Sequence, residues 1–476
     1  MNIKLLFLLL GPLVFVLMLC IPAPSLFTPE AWRVLAMSAW MLIWWISEAT
    51  SLAVTALLPM ICLPMLNVKG IDLEAAAGPY GDPIVFLFMG GFMIALAMEK
   101  CGLHKRIALN IVRLTGTDAD GIILGFMLAT AFMSMWISNT ATTVMMLPIA
   151  LSVINLLTAE EHGYSPEQTR NFAVCMMLGI AYAATLGGMA TIVGTPPNLV
   201  FTGYMQKIYG YEVSFARWMI FAFPLALVLI LTGYFLMVKL IFPNRLGKFH
   251  NAAAIIRHEV ELLGPISKAE KRTLMVFAIT ALMWMFRSFI SKLLPGLSDT
   301  GIALMASVAL FVLPIDRKGL TVLIWNDTQK LPWGILLLFG GGLSLANGLE
   351  STGIINLIGQ EFAEVGNYSF WVMLALAAVT VYISEVMSNV ALVTILLPVI
   401  GGIATGAGID PLVLCIPVTL AASCGFMLPM ATPPNAIVFA SGHLKMSDMV
   451  KAGWWLDLVS ILAVALAAKW VLPLVF

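Results

Sequence analysis

Gly90-Gly91-Phe92-Met93-Ile94-Ala95-Leu96-Ala97-Met98-Glu99-Lys100-Cys101-Gly102 returns in the second half of the chain as Gly341-Gly342-Leu343-Ser344-Leu345-Ala346-Asn347-Gly348-Leu349-Glu350-Ser351-Thr352-Gly353. The paired glycines, an alanine, the glutamate and the closing glycine stand in register. Two more markers follow in the same order. Ser138-Asn139-Thr140 is matched by Ser388-Asn389-Val390, and Thr195-Pro196-Pro197-Asn198 by Thr432-Pro433-Pro434-Asn435. Arg33 and Trp45 are spaced like Arg272 and Trp284. Ordered repetition on this scale is the mark of a duplicated unit.

Composition places the duplicated unit in a membrane. Hydrophobic residues make up 61% of the 476 and charged ones 11%, against about 25% charged in soluble domains. Leu5 to Pro22, Ile122 to Trp136, Trp218 to Val238, Leu304 to Pro314 and Leu456 to Phe476 are nearly free of charge. A helix needs roughly 20 apolar residues to span a bilayer, so the expectation is an all-α polytopic membrane protein of about 11 transmembrane helices. Lys4 before an apolar run also fits a signal peptide, but the length of the run favours a first span. Zero net charge points to no class of partner, and no block of like charge suggests nucleic acid, so none is expected as a partner. The six cysteines have no metal-ligand spacing and read as small apolar fillers.

Charge sets the sense of the halves. Lys100, Lys105, Arg106 and Arg113 follow the first double-glycine segment; after the second, Glu350 to Val386 holds no Lys or Arg, but carries Glu361 and Glu364. By the positive-inside rule the equivalent segments lie on opposite faces, so the repeat is inverted, an architecture typical of secondary transporters. Seven Lys and Arg between Lys239 and Arg272 put that linker in the cytoplasm. Lys4 puts the N-terminus there too, and an odd number of spans leaves Phe476 outside. The division is an N-terminal helix over 1–28, a first repeat over 29–242, a cytoplasmic linker over 243–272 and a second repeat over 273–476.

Polar islands interrupt both halves. Ser-Asn sits between apolar runs too short for full spans, which reads as a re-entrant hairpin with its tip at 138–140 and again at 388–390. The Pro-Pro pairs break helices at 194–198 and 431–435, because each proline removes a donor and unwinds the residue before it. Freed carbonyls with Ser and Asn oxygens suit a hard cation, while helix N-termini and hydroxyls suit a carboxylate. No Lys or Arg lies in either tip or break, so anion binding would depend on bound cation. Glu48 and Glu385 read as buried acids that satisfy broken backbone; Trp40, Trp44 and Trp45 read as interfacial or packing residues.

The paired hairpin motifs, the paired Thr-Pro-Pro-Asn breaks, and Glu48-Ala49 followed by Leu52-Ala53-Val54-Thr55-Ala56-Leu57-Leu58-Pro59 resemble the divalent-anion:sodium symporter family. The resemblance runs from about Trp32 to the C-terminus. It implies co-transported Na+ held by Ser134, Ser138, Asn139 and the Gly194 carbonyl in one half, and by Ser384, Ser388, Asn389 and the Ala431 carbonyl in the other. It also implies a dicarboxylate held at Ser138, Asn139, Thr140, Thr195, Ser388, Asn389, Val390, Thr432 and Pro433. A homodimer in membrane lipid and elevator-like movement come with it. Val390 departs from the commoner Thr and removes a hydroxyl. The reading is thus a sodium-coupled symporter of C4-dicarboxylates in a plasma membrane, such as a bacterial inner membrane. Its rivals are a sodium-independent exchanger of dicarboxylate, tartrate or citrate, a sulfate transporter, a channel, and a membrane-embedded enzyme. The enzyme fits least, because His104, His162, His250, His258 and His443 do not pair with Cys or Asp at ligand spacing.

Overall fold

Helices start where the sequence supplies caps. Asp118, Ser165, Ser214, Ser267 and Ser298 each accept a backbone N–H from the first turn that follows. Proline stands in the first turn after Thr28, Asp82, Ser165, Thr195, Asp410 and Thr432, where its missing donor costs nothing. The computed structural model describes residues 3–116, 118–158, 165–246, 257–316, 319–362 and 370–476. His162, His250, Glu364, the Glu361 side chain and linker residues 247–256 lie outside the described residues.

In chain order the described α-helices of seven residues or more are α1 (Ile3–Cys20), α2 (Pro29–Ser47), α3 (Leu58–Met65), α4 (Pro83–Cys101), α5 (Leu103–Leu114), α6 (Ala119–Ser134) and α7 (Asn139–Thr158). They continue as α8 (Pro166–Met189), α9 (Pro196–Tyr209), α10 (Phe215–Phe235), α11 (Lys268–Met285), α12 (Asp299–Val312) and α13 (Trp333–Ser351). The chain ends with α14 (Ile354–Phe362), α15 (Phe370–Ser384), α16 (Asn389–Gly406), α17 (Pro411–Ala421), α18 (Pro433–Phe439) and α19 (Met446–Trp470). Among the described residues there are no strands beyond one isolated bridge, Pro314 to Thr321. Among the described residues, six helices are long and apolar enough to cross a membrane, and shorter apolar ones accompany them.

The repeated glycines admit close helix contacts. A Cβ on Gly90 would stand 2.7 Å from Ala303 Cβ, and one on Gly341 only 2.1 Å from the Ala56 carbonyl oxygen. α4 therefore lies directly on α12, and α13 on the segment before α3. Gly11 gives α1 the same closeness to Trp40 and Trp44 of α2.

Ion pairs mark two opposite faces. On the linker face, Arg106 of α5 holds Glu270 at 2.6 Å, Lys239 holds Asp120 at the start of α6 at 2.5 Å, and Arg170 of α8 holds Asp448 of α19 at 2.7 Å. Lys100 meets Asp327 there at 2.7 Å. Partial burial pushes the Asp327 carboxyl up, but the Ile324 N–H and the Lys100 ammonium outweigh it, so its pKa lies below the ordinary value. On the far face, Arg287 bridges Glu212 at 2.5 Å and Asp299 at 3.3 Å.

These anchors show how each helix pair runs. α6 starts on the linker face beside Lys239, turns at Met135–Ser138, and returns as α7; α8 then begins on the linker face, where Gln168 donates to the Arg245 carbonyl. α15 starts on the far face, with Phe370 under Lys469 near the end of α19, and α16 returns there, with Thr405 against Tyr209. The two hairpins thus open to opposite faces. α9 packs along α16, and α18 along α7, so each broken helix lies against the hairpin of the other half.

Candidate functional site

The first locus forms where α6 ends. Ser134 Oγ donates to Asn139 Oδ1 across the turn at 2.6 Å, and Ser138 Oγ accepts the Ala141 N–H at 3.2 Å. The tip rests on α8 at Gly188, where a Cβ would stand 2.4 Å from Asn139 Oδ1. Gly194 backs onto Gly188 in turn, its would-be Cβ 2.4 Å from the Gly188 oxygen. Ser134, Asn139, Gly188 and Gly194 are therefore one cluster.

The loop between α8 and α9 is held by neutral groups. Thr191 Oγ1 donates to the Met135 carbonyl at 2.6 Å and accepts the Gly194 N–H at 3.0 Å. Asn198 donates from Nδ2 to the carbonyls of Met189 at 3.1 Å and Thr191 at 2.8 Å. Without these partners the unwound carbonyls would be stranded inside protein.

The second locus has the same plan but uses carboxyl groups. Glu385 occupies the position that Met135 has in the first hairpin, and its carboxylate accepts the N–H groups of Met427 at 2.9 Å and Leu428 at 2.8 Å. Asp457 of α19 accepts the Phe426 N–H at 3.2 Å, and Tyr182 of α8 donates to the Phe426 carbonyl at 2.9 Å. Asn435 donates to the carbonyls of Gly425 at 3.4 Å and Leu428 at 3.0 Å. Ser384 and Ala431 both border Gly425: a Cβ there would lie 3.0 Å from Ser384 Oγ and 3.2 Å from Ala431 Cβ.

Ser134, Ser384, Gly194, Ala431, Thr195 and Thr432 are buried; Asn139, Ser388, Asn389 and Val390 are half-buried; Ser138, Thr140 and Pro433 are exposed. Thr432 Oγ1 accepts the Asn435 N–H at 3.4 Å, whereas Thr195 makes no capping bond. α7, α9 and α16 all begin in this region, so their unpaired N-terminal amides bring partial positive charge to it. Asn389 Oδ1 and Thr142 Oγ1 are buried oxygens without a hydrogen-bond partner. Stranded lone pairs of this kind suit a hard cation stripped of water. No cluster of three or more His, Cys, Asp or Glu able to hold a metal occurs among the described residues.

Glu385 meets the expectation for a buried acid satisfying broken backbone; Glu48 does not. Glu48 is exposed and closes α2 in the left-handed region at φ 47°. Sequence reasoning missed the bracing role of Asn198 and Asn435, although both belong to the repeated break motif. It also missed Thr191, Tyr182 and Asp457. Thr191 and Asp457 have no marker in the other half, and Tyr182 sits in an unbroken apolar run.

Residues 2–476 match the family model described as the sodium:sulfate symporter transmembrane region. A sodium-dependent dicarboxylate transporter, SdcS, of Staphylococcus saprophyticus is 37% identical over 473 residues, covering 98% of this chain and 91% of that protein. The SdcS of Staphylococcus aureus strain USA300 is 36% identical over 475 residues, with the same coverage. Two solved transporters share the fold at low identity. The Alcanivorax borkumensis YdaH transporter has a TM-score of 0.53 at 13% identity, over 88% of this chain and 96% of that one. Neisseria gonorrhoeae MtrF, from a class of antimetabolite efflux pumps, has 0.57 at 12%, over 92% and 97%. With one family model spanning nearly every residue, and relatives aligned from end to end at over a third identity, the chain belongs to the divalent-anion:sodium symporter family: it is a membrane transporter and not an enzyme.

Proposed function

We propose that the protein is a sodium-coupled symporter of C4-dicarboxylates such as succinate, fumarate and malate. The observation that carries this is the pair of loci, each with a Ser-Asn hairpin tip seated beside an unwound Thr-Pro-Pro-Asn loop. The SdcS relatives lend the substrate class and the ion. Sodium occupies Ser134, Ser138, Asn139 and the Gly194 carbonyl in one half, and Ser384, Ser388, Asn389 and the Ala431 carbonyl in the other. The dicarboxylate lies between the tips, against Ser138, Asn139, Thr140, Thr195, Ser388, Asn389, Val390, Thr432 and Pro433.

The coupling follows from charge. With no Lys or Arg in the tips or breaks, a dianion has only helix amides, hydroxyls and bound sodium to offset it. Binding of cation and anion is then mutually reinforcing. The halves are inverted repeats, supported by hairpins that open to opposite faces, and they make up about 11 spans with both hairpins re-entrant. The protein works as a homodimer in a plasma membrane, with the linker and N-terminus inside and Phe476 outside, and moves its hairpins past a fixed scaffold like an elevator.

The test is uptake of radiolabelled succinate into proteoliposomes, with inward sodium or choline, by wild type, Asn139→Ala and Asn389→Ala. Sodium-stimulated uptake lost in both variants is the expected result. Uptake that ignores sodium and needs internal dicarboxylate would make the protein an exchanger. No succinate uptake under either condition would make sulfate and citrate the next substrates to try.

A further inference from the structure

The far face holds a cavity of about 570 Å³ that is separate from the hairpin tips. Its wall combines Glu212, Ser214 and Arg217, around the start of α10, with Arg287, Ser291 and Ser298, between α11 and α12. The lining is dominated by guanidinium and hydroxyl groups, which are donors to carboxylate oxygens.

The two arginines differ. Arg287 is already neutralised, by Glu212 at 2.5 Å and Asp299 at 3.3 Å. Arg217 has no carboxylate partner among the described residues; its side chain reaches only the Tyr211 hydroxyl, at 3.4 Å. An unneutralised guanidinium in a polar cavity has a fixed geometry suited to a two-oxygen anion.

The cavity wall is joined to the first hairpin tip. The Phe215 N–H donates to Asp299 Oδ2 at 3.1 Å, and Trp284 Nε1 donates to the Asp299 carbonyl at 3.0 Å. The Phe215 ring stacks on Trp284 at 4.6 Å and on Trp136 of the tip at 6.0 Å. A stack of three aromatic rings behind the cavity therefore links its neighbouring helix starts to the first locus.

We propose that this vestibule is an outer docking site for the transported dicarboxylate, held by Arg217 and the serines before it reaches the hairpins. This deepens the symport reading and rests on it. The far face is the outer one if the basic linker is cytoplasmic. A fixed positive charge at a cleft mouth concentrates dianions there, and salt weakens the effect.

Labelling of the full-length purified protein tests this without relying on transport. Ser291→Cys is placed in a Cys20→Ala/Cys101→Ala background, which removes the exposed and the partly exposed native thiols. It is reacted with an anionic and a cationic methanethiosulfonate, each rate being divided by that of free cysteine. The anionic reagent should be favoured by about threefold or more at low salt, by attraction to the guanidinium. Millimolar succinate should slow both reactions. Both effects should vanish in Arg217→Gln, and Arg217→Lys should restore the charge preference but only part of the protection, since an ammonium does not present a two-pronged donor. A preference unaltered by Arg217→Gln, or no protection by succinate, would overturn the proposal. So would protection by sulfate alone. Succinate protection in a protein that fails to carry succinate would keep the vestibule and refute the transport reading.

Discussion

At the scale of single residues, the two loci should respond differently to the same change. Gly188→Ala puts a methyl group 2.4 Å from Asn139 Oδ1, so the tip must lift away. We expect sodium-stimulated uptake to fall to background while the protein still folds, as judged by monodisperse gel filtration. Gly425→Ala meets only 3.0–3.2 Å neighbours, and partial activity with weaker sodium activation is expected. Glu385→Gln keeps one acceptor for the Met427 and Leu428 N–H groups, whereas Glu385→Ala leaves both stranded. Each stranded buried donor costs about 1–3 kcal/mol. The alanine variant should therefore unfold at a clearly lower temperature than the glutamine one, and equal melting temperatures would show that the carboxylate does not support the loop.

At the scale of elements, the breaks were legible and their supports were not. Two adjacent prolines cannot continue a helix but fit the first turn of a new one, and Ser-Asn can readily start one, so α7, α9, α16 and α18 begin where the motifs stand. The groups that brace the loops come from distant places: Asp457 from α19 and Tyr182 from α8. Their partners are backbone amides and carbonyls, which carry no sequence signal. Glu48 misled because its neighbours resemble those of a buried acid, whereas it caps the end of α2 and is exposed. Arg170 grips Asp448 with two bonds, at 2.7 and 2.8 Å, tying the start of α8 to that of α19. Arg170→Gln should lower stability by about 1 kcal/mol, after allowing for the partial exposure of the pair, and a thermal melt in detergent would measure it.

At the scale of the whole molecule, the polytopic class could be anticipated from the apolar composition, and the opposite sense of the two helix pairs from the lysine and arginine count. The exchange of partners could not: nothing in the sequence states that α9 lies on α16 and α18 on α7. If sodium binds between these elements, it stabilises the entire fold, by about 2.7 kcal/mol at a hundred times its dissociation constant. Melting in sodium chloride should exceed melting in choline chloride, and Asn139→Ala with Asn389→Ala should abolish the difference. The exchange also governs when the protein becomes competent during its synthesis. α7 must wait for α18, roughly 290 residues further along the chain, and contacts so distant in sequence form slowly. A nascent chain halted within α17 would hold every residue of the first locus with no partner to close it, and the last tenth of translation decides whether either locus exists.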